Sequence, residues 1–389
     1  MIAATSKPKS GWKECRLGDH VLINSRSIDK NYPHTEIEYL DTGSITKGKI
    51  EALQHFQLAA APSRAKRIVK DNDIVLSMVR PIQRHYGFLK NVPTNMVAST
   101  GFVVLTCKDE IDPYFLYSFL TQEDITEHLD MIAEGSTSTY PAFTPEVVEN
   151  LSINLPPLPE QRALAAVLSS LDDKIDLLHR QNKTLEGMAS ALWRRMFIEE
   201  ASPDWKKGKL QDEMDITMGQ SPAGSSYNED RRGMLFFQGR AEFDFRYPQT
   251  RLFCTEPKRY AKKYDTLVSV RAPVGDINMA IEDCCIGRGL AAVRHKKGFV
   301  SYTFYKIHSL HDEFDAFEQQ GTVFGSIGKD DFNGIETILP LENTISEFDK
   351  LAKPLDDKIF ANSITARKLS LLRDMLLPKL MSGEVRVKA

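Results

Sequence analysis

One long-period repeat limits the architecture of this chain more than any other feature. Trp12-Lys-Glu-Cys-Arg-Leu17 returns as Trp205-Lys-Lys-Gly-Lys-Leu210, and Asp73-Ile-Val-Leu-Ser77 returns as Asp265-Thr-Leu-Val-Ser269, with Arg80 or Arg271 close behind. Gly135-Ser136-Thr137 matches Gly321-Thr322, and Leu171-Asp-Asp-Lys-Ile175 recurs letter for letter as Leu355-Asp-Asp-Lys-Ile359. The order of matches is kept while the offset falls only from 193 (Trp12 to Trp205) to 184 (Leu171 to Leu355), as duplication with small loop deletions produces. Each half is one unit, a globular part followed by a helix, and a pseudo-twofold relates the halves.

The chain's 389 residues allow two to four domains at ~100–200 residues each. Charged residues at 26% describe a globular protein and exclude collagen-like, mucin-like and tail-like chains. Fifty basic against 53 acidic residues give a net charge of -3, so any nucleic-acid footprint has to be local. No apolar run approaches the ~18 residues of a membrane span, and Met1 to Gly11 lacks the order of a signal peptide, so a cytoplasmic location is expected. Five cysteines without a CxxC argue against a disulfide framework or structural zinc.

Within each globular part the readable elements are short β-rich runs, Ile74 to Met78, Phe102 to Thr106, Leu267 to Val270 and Ala291 to Arg294, broken by Gly, Pro and Asn turns. Helical stretches are expected at Tyr114 to Ala133 and Tyr302 to Gln319, which makes each domain α+β. The long helices are clearer. From Pro159 onward Leu164, Leu168, Leu171, Ile175, Leu178, Asn182, Leu185, Ala189, Leu192 and Met196 recur at 4,3 spacing; Phe348, Ala352, Leu355, Ile359, Asn362, Ala366, Leu369, Arg373, Leu376 and Leu380 do so in the second copy. So strict a seam predicts pairing of the two helices in a coiled coil, and the pseudo-twofold makes it antiparallel. Placing Asn182 opposite Asn362 sets Leu178 on Ala366, Ala189 on Leu355 and Leu192 on Ala352, large against small. It also leaves Arg373 facing Leu171.

Catalytic signals do not survive scrutiny. Gly43-Ser-Ile-Thr-Lys-Gly48-Lys49 has P-loop spacing, but Ile50 stands where a Mg²⁺-binding hydroxyl is needed. Asp172, Lys174, Asp356 and Lys358 could suggest a metal-dependent nuclease centre, yet their spacing puts them between seam positions, on a solvated helix flank. Asn154-Leu-Pro-Pro157 lacks the Asn-Pro-Pro-aromatic order of amino-methyltransferases, and no glycine-rich S-adenosylmethionine loop follows a strand. The nine histidines show no HExxH spacing; His308 and His311 read as a surface pair on one helix. A binding subunit is the better reading.

Charge is concentrated locally. Arg64, Lys66, Arg67, Lys70, Arg80, Arg84 and Lys90 face only Asp71 and Asp73, an excess of five plus His85; Lys258, Arg259, Lys262, Lys263 and Arg271 face only Asp265, an excess of four. Both clusters bracket the repeated Asp-strand-Ser element. A single cluster reads as a solvated face, but its duplication points to neutralised phosphates and bidentate arginine-to-guanine contacts.

With these residues in view, the chain resembles the specificity subunit of type I restriction-modification systems along essentially its whole length. The most specific pieces are Leu155-Pro-Pro-Leu-Pro-Glu-Gln161, Leu171-Asp-Asp-Lys-Ile175 and Leu376-Leu-Pro-Lys-Leu-Met-Ser-Gly-Glu-Val385; the Asp-strand-Ser-x-x-Arg and Gly-Ser/Thr-Thr elements match more weakly. The second half departs from the pattern with Leu339-Pro-Leu-Glu-Asn343, where partner contacts would differ. The resemblance implies two target-recognition domains, 1–155 and 203–338, alternating with conserved helical regions at 156–200 and 339–389. It implies a non-catalytic subunit without a cofactor that reads a bipartite double-stranded DNA target. Its partners would be two modification subunits, which methylate adenine from S-adenosylmethionine, and ATP-driven restriction subunits.

The residues expected on the DNA-facing surface are Arg64, Lys66, Arg67, Arg80, Arg84 and His85 in the first domain, and Arg240, Lys262, Lys263, Arg271 and Arg288 in the second. Lys66 and Lys262 are phosphate contacts, and the arginines are candidates for base contacts. Two other classes remain to be separated: an enzyme in its own right, nuclease or methyltransferase, and a coiled-coil scaffold without nucleic acid. A helix of ~38 residues spans ~57 Å, so the target is expected to be two short blocks around an unread spacer.

Overall fold

The computed structural model describes residues 11–135, 140–320 and 325–387. The chain divides into two compact units, Met1–Asp176 with Arg367–Ala389, and Leu177–Ala366. Each contains a mixed α+β globular part and stretches of both long helices, Leu158–Arg194 and Glu342–Met381. No helix among the described residues is long and apolar enough to cross a membrane.

In the first unit Lys13–Arg16 pairs antiparallel with Ser152–Leu155, which feeds directly into the first long helix. One four-stranded sheet runs in the order Val21–Ile23, Phe102–Cys107, Ile74–Ser77, Tyr86–Phe88; the other runs Gln54–Gln57, Glu36–Leu40, Met96–Ser99, Ala65–Ile68. Ile74–Ser77 and Phe102–Cys107 are near-continuous apolar runs because the core covers both their faces. The expected Tyr114–Ala133 helix is two helices, Pro113–Leu120 and Glu123–Glu134. The break falls where Thr121 turns its hydroxyl onto the Tyr117 carbonyl (3.0 Å) and the Gln122 backbone is extended.

The second unit repeats this plan. Lys206–Lys209 pairs with Glu336–Leu339. A four-stranded sheet runs Met214–Met218, Leu290–His295, Thr266–Ser269, Ile277–Met279, beside a five-stranded sheet holding Met234–Phe237 and Cys284–Ile286 side by side in parallel. Its helical stretch also divides, into Val300–His308 and His311–Gln320, with the Ser309 hydroxyl on the Lys306 carbonyl (2.8 Å). His308 and His311 therefore lie on different helices, and His311 pairs with Asp315 at 3.6 Å.

The P-loop spacing folds as a hairpin. Ile45–Thr46 and Lys49–Ile50 pair across Lys47 (φ 48°) and Gly48 (φ 81°), a two-residue turn with both centres left-handed. The Ser136-Thr137 and Gly321-Thr322 match lies outside the described residues.

The long helices lie antiparallel. Asn182 Nδ2 donates to Ser363 Oγ (3.1 Å) and Asn362 Nδ2 to Gln181 Oε1 (3.4 Å), so the two seam asparagines share one layer as the sequence register requires. Ala189, Phe348, Ala352 and Ile359 join one buried core with Leu185, Leu192 and Leu355 packed against it. The misfit at Arg373 is resolved by charge: its Nη1 lies 2.7 Å from Asp172 Oδ1, one residue beyond Leu171.

That contact corrects one expectation. Lys174 and Lys358 are exposed, but Asp356 is buried, and Asp172 is half-buried. Asp172 accepts the Tyr114 hydroxyl (2.6 Å), and Asp356 accepts the Tyr305 hydroxyl (3.3 Å). A seam occupies only one stripe of a helix, and here the flank beside it packs against the globular part rather than water. The repeated aspartate thus anchors a tyrosine of its own domain in each unit.

Candidate nucleic-acid interface

The repeated Asp-strand-Ser element builds the same frame twice. Asp73, fully buried, accepts from Lys70 N (2.9 Å), Arg26 Nη2 (2.5 Å) and Thr106 Oγ1 (2.6 Å). Asp265 accepts from Lys262 N (2.7 Å) and Arg294 Nε (2.5 Å); burial pushes its carboxyl up, against the pull of these donors. At the other end of each strand the serine fastens the next loop. Ser77 Oγ donates to Val79 O (3.0 Å), Ser269 Oγ to Pro273 O (2.7 Å). These residues are repeated because they hold the fold, and the loop after each strand is free to carry chemistry.

Beyond the serines the backbone frame is also duplicated. Met78 N donates to Gly101 O and Val270 N to Gly289 O, both at 2.9 Å; Arg80 N meets Pro141 O and Ala272 N meets Gly325 O, both at 3.0 Å. In the second unit Gly287 N bonds Phe237 O (2.8 Å) and Gln220 N bonds Ile286 O (3.0 Å). A Cβ on Gly287 would stand 2.8 Å from Gln238 O, and one on Gly219 would collide with Gly287 O, so only glycine permits this crossing. The crossing gathers Arg240, Arg271 and Arg288, all exposed, with exposed Gln220 and Gln238. Arg240 also pairs with Asp276 at 2.8 Å, both ends about half exposed.

Lys262 and Lys263 do not join that group. They precede the Thr266–Ser269 strand whereas Arg271 comes after it, and Lys263 Nζ stands 4.7 Å over the Phe360 ring of the second long helix. In the first unit Arg64 does reach the frame, since its carbonyl accepts from Thr100 N (2.8 Å) beside Gly101. Lys66 and Arg67 sit on the Ala65–Ile68 strand, Lys66 exposed. Arg67 is half-buried, its Nε has no partner, and burial lowers its pKa.

Arg80 and Arg84 bracket the loop after Ile74–Ser77. Both are left-handed, at φ 47° and 58°. For a residue with a Cβ this costs of order 1–3 kcal/mol, so the surroundings must enforce it. Arg84 is held by an ion pair with Glu123, and His85 Nδ1 by Ile45 O at 2.6 Å. These two were expected to face DNA. Their side chains are instead half-buried and engaged within the unit, fixing the loop. Arg80 is exposed, 5.8 Å from the Tyr140 ring centroid, and makes no ion pair among the described residues.

The family's motifs also find partners in the first unit. Gln161, buried, accepts from Asp112 N (2.8 Å) and donates to Pro156 O (2.8 Å), tying the start of the Pro113–Leu120 helix to the first long helix. Residues 9–187 match the family described as the type I restriction modification DNA specificity domain. Over 97% of its length the chain is 31% identical to a Methanocaldococcus jannaschii protein described as the MjaX type I restriction enzyme specificity subunit, covering 94% of that protein. The chain belongs to the type I specificity subunits. A second specificity subunit, HindI of Haemophilus influenzae, is 25% identical over 97% of this chain and 100% of its own length. The crystal structure of a type I S subunit from M. genitalium shares the fold, with a TM-score of 0.61 at 15% identity over 98% of this chain and 99% of that one.

Sequence reasoning missed several exposed residues that this specificity subunit places beside the candidate arginines. Gln220 and Gln238 carry no charge and reach the arginines only through the glycine crossing. Ile82 and Gln83 sit between the two left-handed arginines. Arg80-Pro81 was the one available signal, because proline disfavours the right-handed helical region for the residue before it.

Proposed function

We propose that this specificity subunit reads a bipartite double-stranded DNA target through two target-recognition domains, residues 1–155 and 203–338, and has no catalytic centre of its own. One observation carries the reading: in both units the loop that leaves the buried Asp-strand-Ser frame exposes an arginine, Arg80 three residues past Ser77 in one and Arg271 two residues past Ser269 in the other. Frame and cation have been kept together through duplication. Arg64, Arg80, Arg240, Arg271 and Arg288 are proposed to face the bases or nearby phosphates, and Lys66, Arg67, Lys262 and Lys263 to neutralise phosphates. Arg84 and His85 position the first loop. The conserved helical regions, 156–200 and 339–389, are proposed to scaffold two modification subunits and the restriction subunits.

The test uses the purified full chain and duplex DNA. Log affinity should fall linearly with log salt, at a slope near −0.9 for each phosphate contact. A scaffold without nucleic-acid function would give no salt-dependent binding. Incubation with S-adenosylmethionine, Mg²⁺ and DNA should yield neither methylation nor cleavage until partners are added; turnover by the chain alone would overturn the non-catalytic assignment.

A further inference from the structure

The loop after the repeated strand is clamped to a helix carboxylate in both units and yet ends differently. Ile82 N donates to Asp130 Oδ1 (3.1 Å) on the Glu123–Glu134 helix; Val274 N donates to Glu318 Oε2 (2.8 Å) on the His311–Gln320 helix. Ile82 and Val274 are both five residues past the repeated serine, Ser77 or Ser269. Val274 is 4% exposed, and the neighbouring Gly275 lies so close that a Cβ there would meet Phe314 Cβ at 2.5 Å. Ile82 is 50% exposed, and Gln83 beside it is also exposed. The second unit shows that the clamp does not need a projecting tip.

The projecting tip is rigid. Gln83 N bonds Arg80 O (2.9 Å), Arg84 N bonds Pro81 O (2.8 Å), and Lys47 N bonds Arg84 O (2.8 Å). With the Arg84–Glu123 pair, these bonds hold two left-handed residues in place and leave three side chains outside: Arg80, Ile82 and Gln83. Their chemistry suits base edges. Arginine forks onto guanine O6 and N7, glutamine pairs with adenine N6 and N7, and an apolar side chain meets the thymine methyl. Because the backbone is already ordered, binding does not have to freeze it.

We infer that the Arg80-Pro-Ile-Gln83 tip is the base-reading element of the first domain, while the second domain, in which the equivalent Val274 and Gly275 are buried, reads from Arg240, Arg271 and Arg288. This rests on the DNA-reading function proposed above and goes further by assigning different elements to the two half-sites. The experiment selects duplexes from a pool with two random blocks and spacers of varied length, using the full chain as wild type, Ile82→Ala, Gln83→Ala and Gln83→Glu. All three replacements are at exposed positions, and thermal unfolding checks that the fold is kept. The alanine variants should lose on the order of tenfold in preference at one or two positions of one block. The other block and affinity for unselected duplex should be unchanged. Gln83→Glu should change the preferred base, since a carboxylate accepts from cytosine N4 and, unlike the glutamine amide, cannot donate to adenine N7. Selection of the wild-type sequence by all three variants would overturn the inference and leave the DNA-reading function standing. Absence of both selection and salt-dependent binding in the wild type would instead overturn that function, and the inference with it.

Discussion

Glu160 accepts both Nε and Nη2 of Arg386, at 2.8 and 2.7 Å, which joins the first turn of the first long helix to the tail beyond the second. Glu160 is 6% exposed, and Leu380 and Met381 enter the same core as Leu164 and Leu168. Two of the family's most specific motifs therefore meet in one unit. The second helix start has no such fork; its Glu342 pairs with Lys297 in the open.

Arg386 holds the Glu160 carboxyl below its usual range. A carboxylate whose folded pKa is depressed stabilises the fold above its ordinary value of 4.5, and that contribution fades as pH falls through the depressed value. Arg386→Ala should lower the denaturation midpoint at neutral pH by stranding a buried charge. Adding Glu160→Gln should restore part of the loss. A double variant less stable than Arg386→Ala would refute the pairing argument.

In the second unit Arg246 is the comparable fastening. It is 2% exposed, 3.2 Å from Glu186, 3.3 Å from Asp356 and 2.9 Å from the Tyr305 hydroxyl, with its guanidinium 3.6 Å from the Phe304 ring centroid. Burial raises both carboxyls, and Arg246 opposes that. Removing one partner of such a set costs about 3–5 kcal/mol because the others remain buried and unpaired. Arg246→Ala should approach that loss in chemical denaturation. Arg246→Met with Glu186→Gln and Asp356→Asn should be closer to wild type.

The sequence disclosed what is periodic or repeated. Heptad spacing carried the helix register to the layer of Asn182 and Asn362, and the duplication exposed the strands from Asp73 and Asp265. It misread Asp356, because a helical repeat shows which stripe pairs with the other helix and not which domain covers the next one. Arg84 was taken for a DNA contact since its partner Glu123 lies 39 residues away, with no local signal. Ile82 and Gln83 stayed hidden for a further reason. Their proposed role depends on two left-handed backbones, which arginine disfavours and only the folded surroundings impose.

Acid should weaken the second unit through His295. The ring is buried, its Nδ1 accepts from Lys297 N (3.0 Å), and burial pulls its pKa down to about 4 from 6.5; Lys297 and Lys296 add to this, against Glu342 and Asp215. A histidine with a depressed folded pKa stabilises fully above pH 6.5, since only below it does the unfolded chain take the proton first. Stability should fall as pH drops from 6.5 toward 4. His295→Asn keeps an acceptor and cannot be protonated, so its stability profile should be flatter over that interval. An acid slope equal to the wild type's would rule His295 out.

Lysine and arginine variants should behave differently on DNA. Lys66 is exposed on the edge of its sheet, and Lys262 anchors Asp265 through its backbone while its side chain remains exposed. Each is a mobile point charge suited to phosphate, so Lys66→Ala or Lys262→Ala should weaken all duplexes alike and reduce the salt slope by about one. Arg271 and Arg288 stand on the glycine crossing, where the backbone fixes their direction. Arg271→Ala or Arg288→Ala should cost about 1–3 kcal/mol on the selected target and relax preference in a single half-site. Measuring affinity for selected and unselected duplexes across a salt series separates the two effects. Uniform weakening by the arginine variants would make them phosphate contacts and leave base reading in the second domain to Gln220 and Gln238.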